Sequence, residues 1–130
     1  KLLKHFFQKS DWATMFQTAP AAKGIHHAYI GGLLEHSLSV AQIADLLSGH
    51  YEGLNRSLLI AGALLHDIGK LKELAVDGGI VDYTAKGRLL GHLVIGSEMV
   101  ASAAARIKDF PESTLEQLQH LILSHHGRKE

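Results

Sequence analysis

At 130 residues, with 13 lysines and arginines against 13 aspartates and glutamates, the chain has the size of one domain and carries no net field. That balance excludes a strongly basic nucleic-acid or membrane surface, so any such contact must be local. The absence of cysteine excludes disulfides and thiolate metal sites and suits a reducing compartment.

The first segment, Lys1 to Lys9, has the character of a helix end. Ser10-Asp11 can cap a short helix to about Gln17, which Pro20 closes. PAAKGIHHAY predicts a loop. A helix follows from about Ile30 to Leu47 with Gly49 just past its end, and another from Ser57 as N-cap to about Ile68, where Gly69 supplies the stop. KELAVDGGIVDYT sets Asp77-Gly78-Gly79 between two β-branched runs and predicts one short hairpin around residues 74–84. Thr84 can cap the next element, with helix from about Leu89 to Ile107 ahead of Asp109-Phe110-Pro111. Ser113 or Thr114 starts the last helix, Glu116 completes a capping box, and Gly127 stops it after about His126. The fold class is therefore all-α, a helical bundle with one hairpin at its edge. No stretch is long and apolar enough to span a bilayer, and no signal-peptide pattern opens the chain, so the expectation is a cytoplasmic domain; the abrupt KLLKHFFQKS and HHGRKE ends suggest a fragment of a longer protein.

Ten histidines are the compositional oddity, because imidazole is both the commonest metal ligand and the side chain that titrates near neutrality. Helical spacing sorts them. His36 shares a stripe with Val40, Ile43 and Leu47; His66 with Ala63, Gly62 and Leu59; His92 with Ile95, Gly96 and Met99; His125 with Ile122, Leu121 and Leu118. All four are expected to face inward. His120, beside Glu116, Gln117 and Ser124, reads as solvated, and His5 and His50 have no apolar setting. One buried histidine is ordinarily a hydrogen-bonded core residue. Four of them with Asp67, in HDIGK at the end of the apolar run LLIAGALL, would leave polar groups unpaired unless a cation joins them.

The stretches HHAYIGGLLEHSLSV, LLIAGALLHDIGK, GRLLGHLVIGSEM and HLILSHHG resemble the HD superfamily of metal-dependent phosphohydrolases, and within it the HD domain of YhaM-type 3′-to-5′ exoribonucleases. The likeness extends from about Pro20 to Gly127. It implies an HD-domain helical bundle in which His36, His66 and Asp67 hold a first divalent ion. Asp67 would bridge to a second ion held by His92 and by His125 or His126. Two such ions about 3.5 to 4 Å apart activate a water as hydroxide and clamp the phosphate oxygens. Imidazole with carboxylate suits manganese, iron, cobalt, nickel or zinc better than calcium, and the resemblance favours Mn2+. It also places one further aspartate ligand beyond Glu130, so the first site is incomplete within this chain and partial metal occupancy is expected.

Asp67 and Lys70 are the catalytic candidates, Lys70 because an ammonium one turn past the ligands can meet a phosphate oxygen or protonate a leaving alkoxide. The resemblance suggests that His26 and His27 face substrate, with Lys23, Tyr29 and Arg88 as further phosphate or base contacts. Glu35, next to His36 but off its stripe, could orient a metal ligand or face water, and the latter is expected; Gly31-Gly32 is too short a signal for a phosphate cradle. The implied activity is phosphodiester hydrolysis, 3′-to-5′, on single-stranded RNA or DNA. The family's OB-type nucleic-acid-binding domain is expected elsewhere in the full-length protein, and a homo-oligomer is compatible. A nucleotidase or signalling-nucleotide hydrolase of the wider group is the alternative enzyme, and a non-catalytic metal-binding regulatory domain is the alternative of another class.

Overall fold

The computed structural model describes residues 1–8, 10–23 and 29–127. His26 and His27 lie outside the described residues. Seven helices and one hairpin occur among the described residues. They are α1 (Leu2–Phe7), α2 (Asp11–Thr18), α3 (Gly32–His50), α4 (Arg56–Leu65), α5 (Lys70–Glu73), β1 (Leu74–Asp77), β2 (Ile80–Tyr83), α6 (Ala85–Ala104) and α7 (Glu112–Ser124). The all-α expectation with one hairpin holds. No helix among the described residues is long and apolar enough to cross a membrane.

Two of the expected caps form. The Ser10 side chain accepts from the Ala13 N–H at the start of α2, and Thr84 accepts from Gly87 at the start of α6. Two others are corrected. Asn55, not Ser57, caps α4, its Oδ1 accepting from the Leu58 N–H at 3.1 Å. The last helix begins at Glu112 behind Pro111, with Ser113 and Thr114 already inside it and no side-chain cap, so Glu116 completes no capping box. Proline's fixed φ leads the chain into a helix without one. The hairpin pairs Leu74 with Tyr83 through Asp77 with Ile80, and Gly78 and Gly79 fill the two loop positions at φ +54° and +83°. Only residues without a Cβ take both at low cost.

Glycine was misleading at two helix ends. α3 runs through Gly49 to His50. α4 ends at Leu65 rather than Ile68, and Gly69 has a right-handed conformation (φ −61°), so it is not the expected left-handed stop. Its role is steric: a Cβ there would lie 2.0 Å from the His92 carbonyl oxygen and 2.7 Å from the Gly96 nitrogen. Gly69 therefore lets the turn after α4 rest directly on the backbone of α6.

The core is built by Phe6, Leu33, Leu65, Ile68, Ile95, Val100, Leu118 and Ile122 from α1, α3, α4 and the turn after it, α6 and α7. α3 packs on α4 through Ala41, Ala44 and Ala63. Its buried stripe is Leu33, Ser37, Ala41 and Ala44, whereas Ile43 and Leu47 are 55% and 44% exposed. The expected stripe of His36, Val40, Ile43 and Leu47 is thus rotated from the observed one. α3 is apolar nearly all round, and small residues, which allow close approach, decide which face docks.

Candidate metal centre

Four places in the chain converge on Asp67. His36 comes from early α3, and His66 and Asp67 from the turn between α4 and α5. His92 lies in α6 immediately after Gly91, whose φ of +68° breaks that helix. His125 and His126 occupy the turn that closes α7.

The Asp67 side chain is 3% exposed and divides its two oxygens between two sets of neighbours. Oδ2 lies 3.4 Å from His36 Nε2, 3.3 Å from His66 Nε2 and 2.8 Å from Lys70 Nζ. Oδ1 lies 3.4 Å from His92 Nε2 and 3.6 Å from His125 Nε2. His36 and His66 Nε2 approach to 3.0 Å, and His92 and His126 Nε2 to 3.3 Å.

The rings are oriented by their other nitrogens. His66 Nδ1 donates to the Ala63 carbonyl and His125 Nδ1 to the Ile122 carbonyl, each at 2.7 Å. Both carbonyls belong to last helical turns, where the intrahelical acceptors run out of partners. A carbonyl can only accept, so Nδ1 carries the proton and Nε2 presents a lone pair to Asp67. Lone pairs aimed at a carboxylate repel it unless a positive charge, a metal ion or a proton taken up at Nε2, lies between them. Asp67 Oδ1 and His125 Nε2 are moreover buried without a hydrogen-bond partner, a costly arrangement for polar atoms. The donor chemistry fits divalent metal in two groups, His36, His66 and Asp67, and Asp67, His92, His125 and His126, with the donor atoms of each within 4.8 Å of one another.

The electrostatics agree with a site that attracts positive charge. Burial pushes the Asp67 carboxyl up, but the neighbouring His125 and His66 imidazoles and the Lys70 ammonium outweigh it and hold the group well below the usual carboxylate range. Burial likewise lowers His66, and Asp67 overrides it, leaving the imidazole raised.

Two clefts meet at this cluster, and Lys70 and His126 line both. One, of about 500 Å³, has apolar walls that include Val40, Leu59 and Leu121. The other, of about 560 Å³, runs past His92, Leu90 and Tyr83 to Lys23. Lys23 and Arg88 do not reach the cluster. Both pair with Asp82 on β2, at 2.8 Å and 3.1 Å, with side chains about half exposed. Tyr29 donates a hydrogen bond to Glu35, so Glu35 is exposed, as expected, but engaged. That bond, chiefly, raises the Tyr29 phenol above its ordinary value. His120 and His50 are exposed, as their settings predict.

One residue was not anticipated. Glu73, 7% exposed at the end of α5, accepts from both the His92 backbone N–H (3.0 Å) and His92 Nδ1 (3.1 Å) through the same oxygen. Its sequence signal is slight: a glutamate one turn after Lys70 reads as a solvated helix end.

Comparison with known proteins bears on this arrangement. The family model described as "HD domain" matches residues 33–130. A second, described as "Putative helicase", matches only residues 3–51. A protein named 3'-5' exoribonuclease YhaM from Bacillus velezensis is 40% identical over 131 residues, which covers 100% of this chain and 40% of the relative. Its namesake in Bacillus subtilis is 43% identical over 116 residues, 88% of this chain and 36% of the relative. That of a Geobacillus species is 42% identical over 130 residues, 99% of this chain and 37% of the relative. The chain thus spans about two fifths of the length of the curated relatives it matches. No solved structure matches it. With its histidines gathered around the buried Asp67 and the family model covering three quarters of its length, the chain belongs to the HD domain family.

Proposed function

We propose that this chain is a single catalytic domain that hydrolyses phosphodiesters, removing nucleotides 3′-to-5′ from single-stranded RNA or DNA. The observation that carries the reading is Asp67: a buried carboxylate that turns one oxygen to His36 and His66 and the other to His92 and His125. Such a residue can serve two cations at once. His36, His66 and Asp67 would hold one ion, and Asp67, His92, His125 and His126 the other. Bound divalent ions supply activation of water and neutralisation of phosphate charge, and manganese, iron, cobalt, nickel and zinc all accept this donor set.

The protein's own groups do the rest. The Ala63 and Ile122 carbonyls keep the His66 and His125 rings in the tautomer that offers Nε2. Lys70 Nζ, 16% exposed and 2.8 Å from Asp67, stands where both clefts open, placed to meet a phosphate oxygen or to give a proton to the departing 3′-oxygen. Lys23 lines the second cleft away from the cluster, a position suited to a phosphate further along the strand. The names of the relatives support RNA as the substrate class. In the full-length protein, an OB-type domain is the proposed partner in gripping the strand.

The test is product analysis on a 5′-labelled single-stranded oligonucleotide with added Mn2+. The account expects a ladder shortening by one nucleotide at a time and its loss with chelator. Release of phosphate from mononucleotides alone would favour the nucleotidase alternative, and bound metal with no hydrolysis of any diester would favour the regulatory one.

A further inference from the structure

We infer that Glu73 is the positioning residue of the centre, fixing His92 in the tautomer and orientation that deliver its Nε2 to metal. The inference rests on the reading of the cluster as a metal centre but is tested apart from it. Gly91 breaks α6 one residue before His92, so the His92 N–H heads a new helical run without a carbonyl four residues back to receive it. Glu73 Oε1 receives it instead at 3.0 Å, and the same oxygen lies 3.1 Å from His92 Nδ1. Holding backbone and ring of one residue on one oxygen leaves the imidazole little rotational freedom. A carboxylate beside a ring nitrogen draws the proton to that nitrogen, so Nδ1 donates and Nε2 is left as a lone pair toward Asp67 Oδ1 and His126.

Burial strengthens the argument. Glu73 is 7% exposed, and among the described residues no lysine or arginine pairs with it; its ion-pair contact is His92. A buried carboxylate is costly unless hydrogen-bonded, so its place is explained by the ring it orients. The backbone is arranged to keep it there. The Glu73 carbonyl accepts from the Thr84 N–H at 2.8 Å, and Gly87 passes so close that a Cβ would lie 2.3 Å from that carbonyl oxygen. His66 and His125 use backbone carbonyls for the same purpose. His92 has a charged acceptor, which also raises the donor strength of Nε2.

The experiment pairs two variants with two readouts. Nitrogen-15 NMR of the histidine rings in metal-free protein should place the His92 proton on Nδ1 in wild type and in E73Q, whose amide oxygen keeps both acceptor contacts, and lose that preference in E73A. Calorimetric titration with Mn2+ should show affinity about 10-fold weaker in E73Q and about 100-fold weaker in E73A. A wild-type His92 with its proton on Nε2, or E73A binding Mn2+ as tightly as wild type, would overturn the assignment. Wild type that binds no metal would sink the metal centre itself, while the ring tautomers would still decide the role of Glu73.

Discussion

Asp67 and Asp82 are each a carboxylate ringed by nitrogen donors, and they differ in burial. Asp67, 3% exposed, faces four imidazoles and Lys70; Asp82, 50% exposed, holds Lys23 and Arg88. Both carboxyls are held below their ordinary value. For Asp67, imidazoles and an ammonium overcome an opposing burial; for Asp82, the Lys23 hydrogen bond leads, helped by the Tyr83 N–H. In the interior the charges act on one another with little screening and the geometry is fixed by backbone contact. At the rim, water and salt take most of the interaction away. Shortness of an ion pair therefore does not rank the two sites. The surroundings do.

Substitutions should expose that difference. Asp67→Ala removes the residue common to both donor groups and should reduce hydrolysis to background. Gly69→Ala attacks the packing that brings the turn after α4 against α6. Its methyl meets backbone rather than a flexible side chain, so a loss of about 3 kcal/mol in urea unfolding is expected. Lys70→Ala should lower turnover about 100-fold while bound metal, read by elemental analysis, stays at the wild-type level; wild-type turnover would remove Lys70 from the reaction. At the rim, Arg88→Ala should move stability by no more than about 0.5 kcal/mol, and any rise in KM for an oligonucleotide should vanish in high salt. The smallest effect is in pH. The Asp82 carboxyl is depressed, so its pairing contributes above the ordinary aspartate value of 3.8 and is lost as pH falls through the lowered one. Arg88→Ala should lower stability slightly above that range and flatten the acid limb by the same small amount.

Much of the buried site could be read from sequence because its residues sit on helices whose period is visible. His92 with Ile95, Gly96 and Met99 lies on a buried face of α6, as the spacing indicates. In α3 the period is blurred: Leu34, Leu38, Ile43 and Leu46 are all exposed, so hydrophobicity alone could not choose a face. Gly69 carries two meanings in sequence, left-handed stop or close approach, and only the neighbouring α6 backbone selects between them. Glu73 was invisible for a related reason. Its partner is 19 residues away, across the whole hairpin, and no local period links them.

The central claim is that one buried carboxylate serves two metal groups. Calorimetric titration of wild type and Asp67→Ala with Mn2+ tests it most directly. Unequal sites are predicted in wild type, the four-donor group of Asp67, His92, His125 and His126 binding more tightly than the three-donor group of His36, His66 and Asp67, with loss of both in the variant. Retention of either ion at wild-type affinity in Asp67→Ala would contradict it.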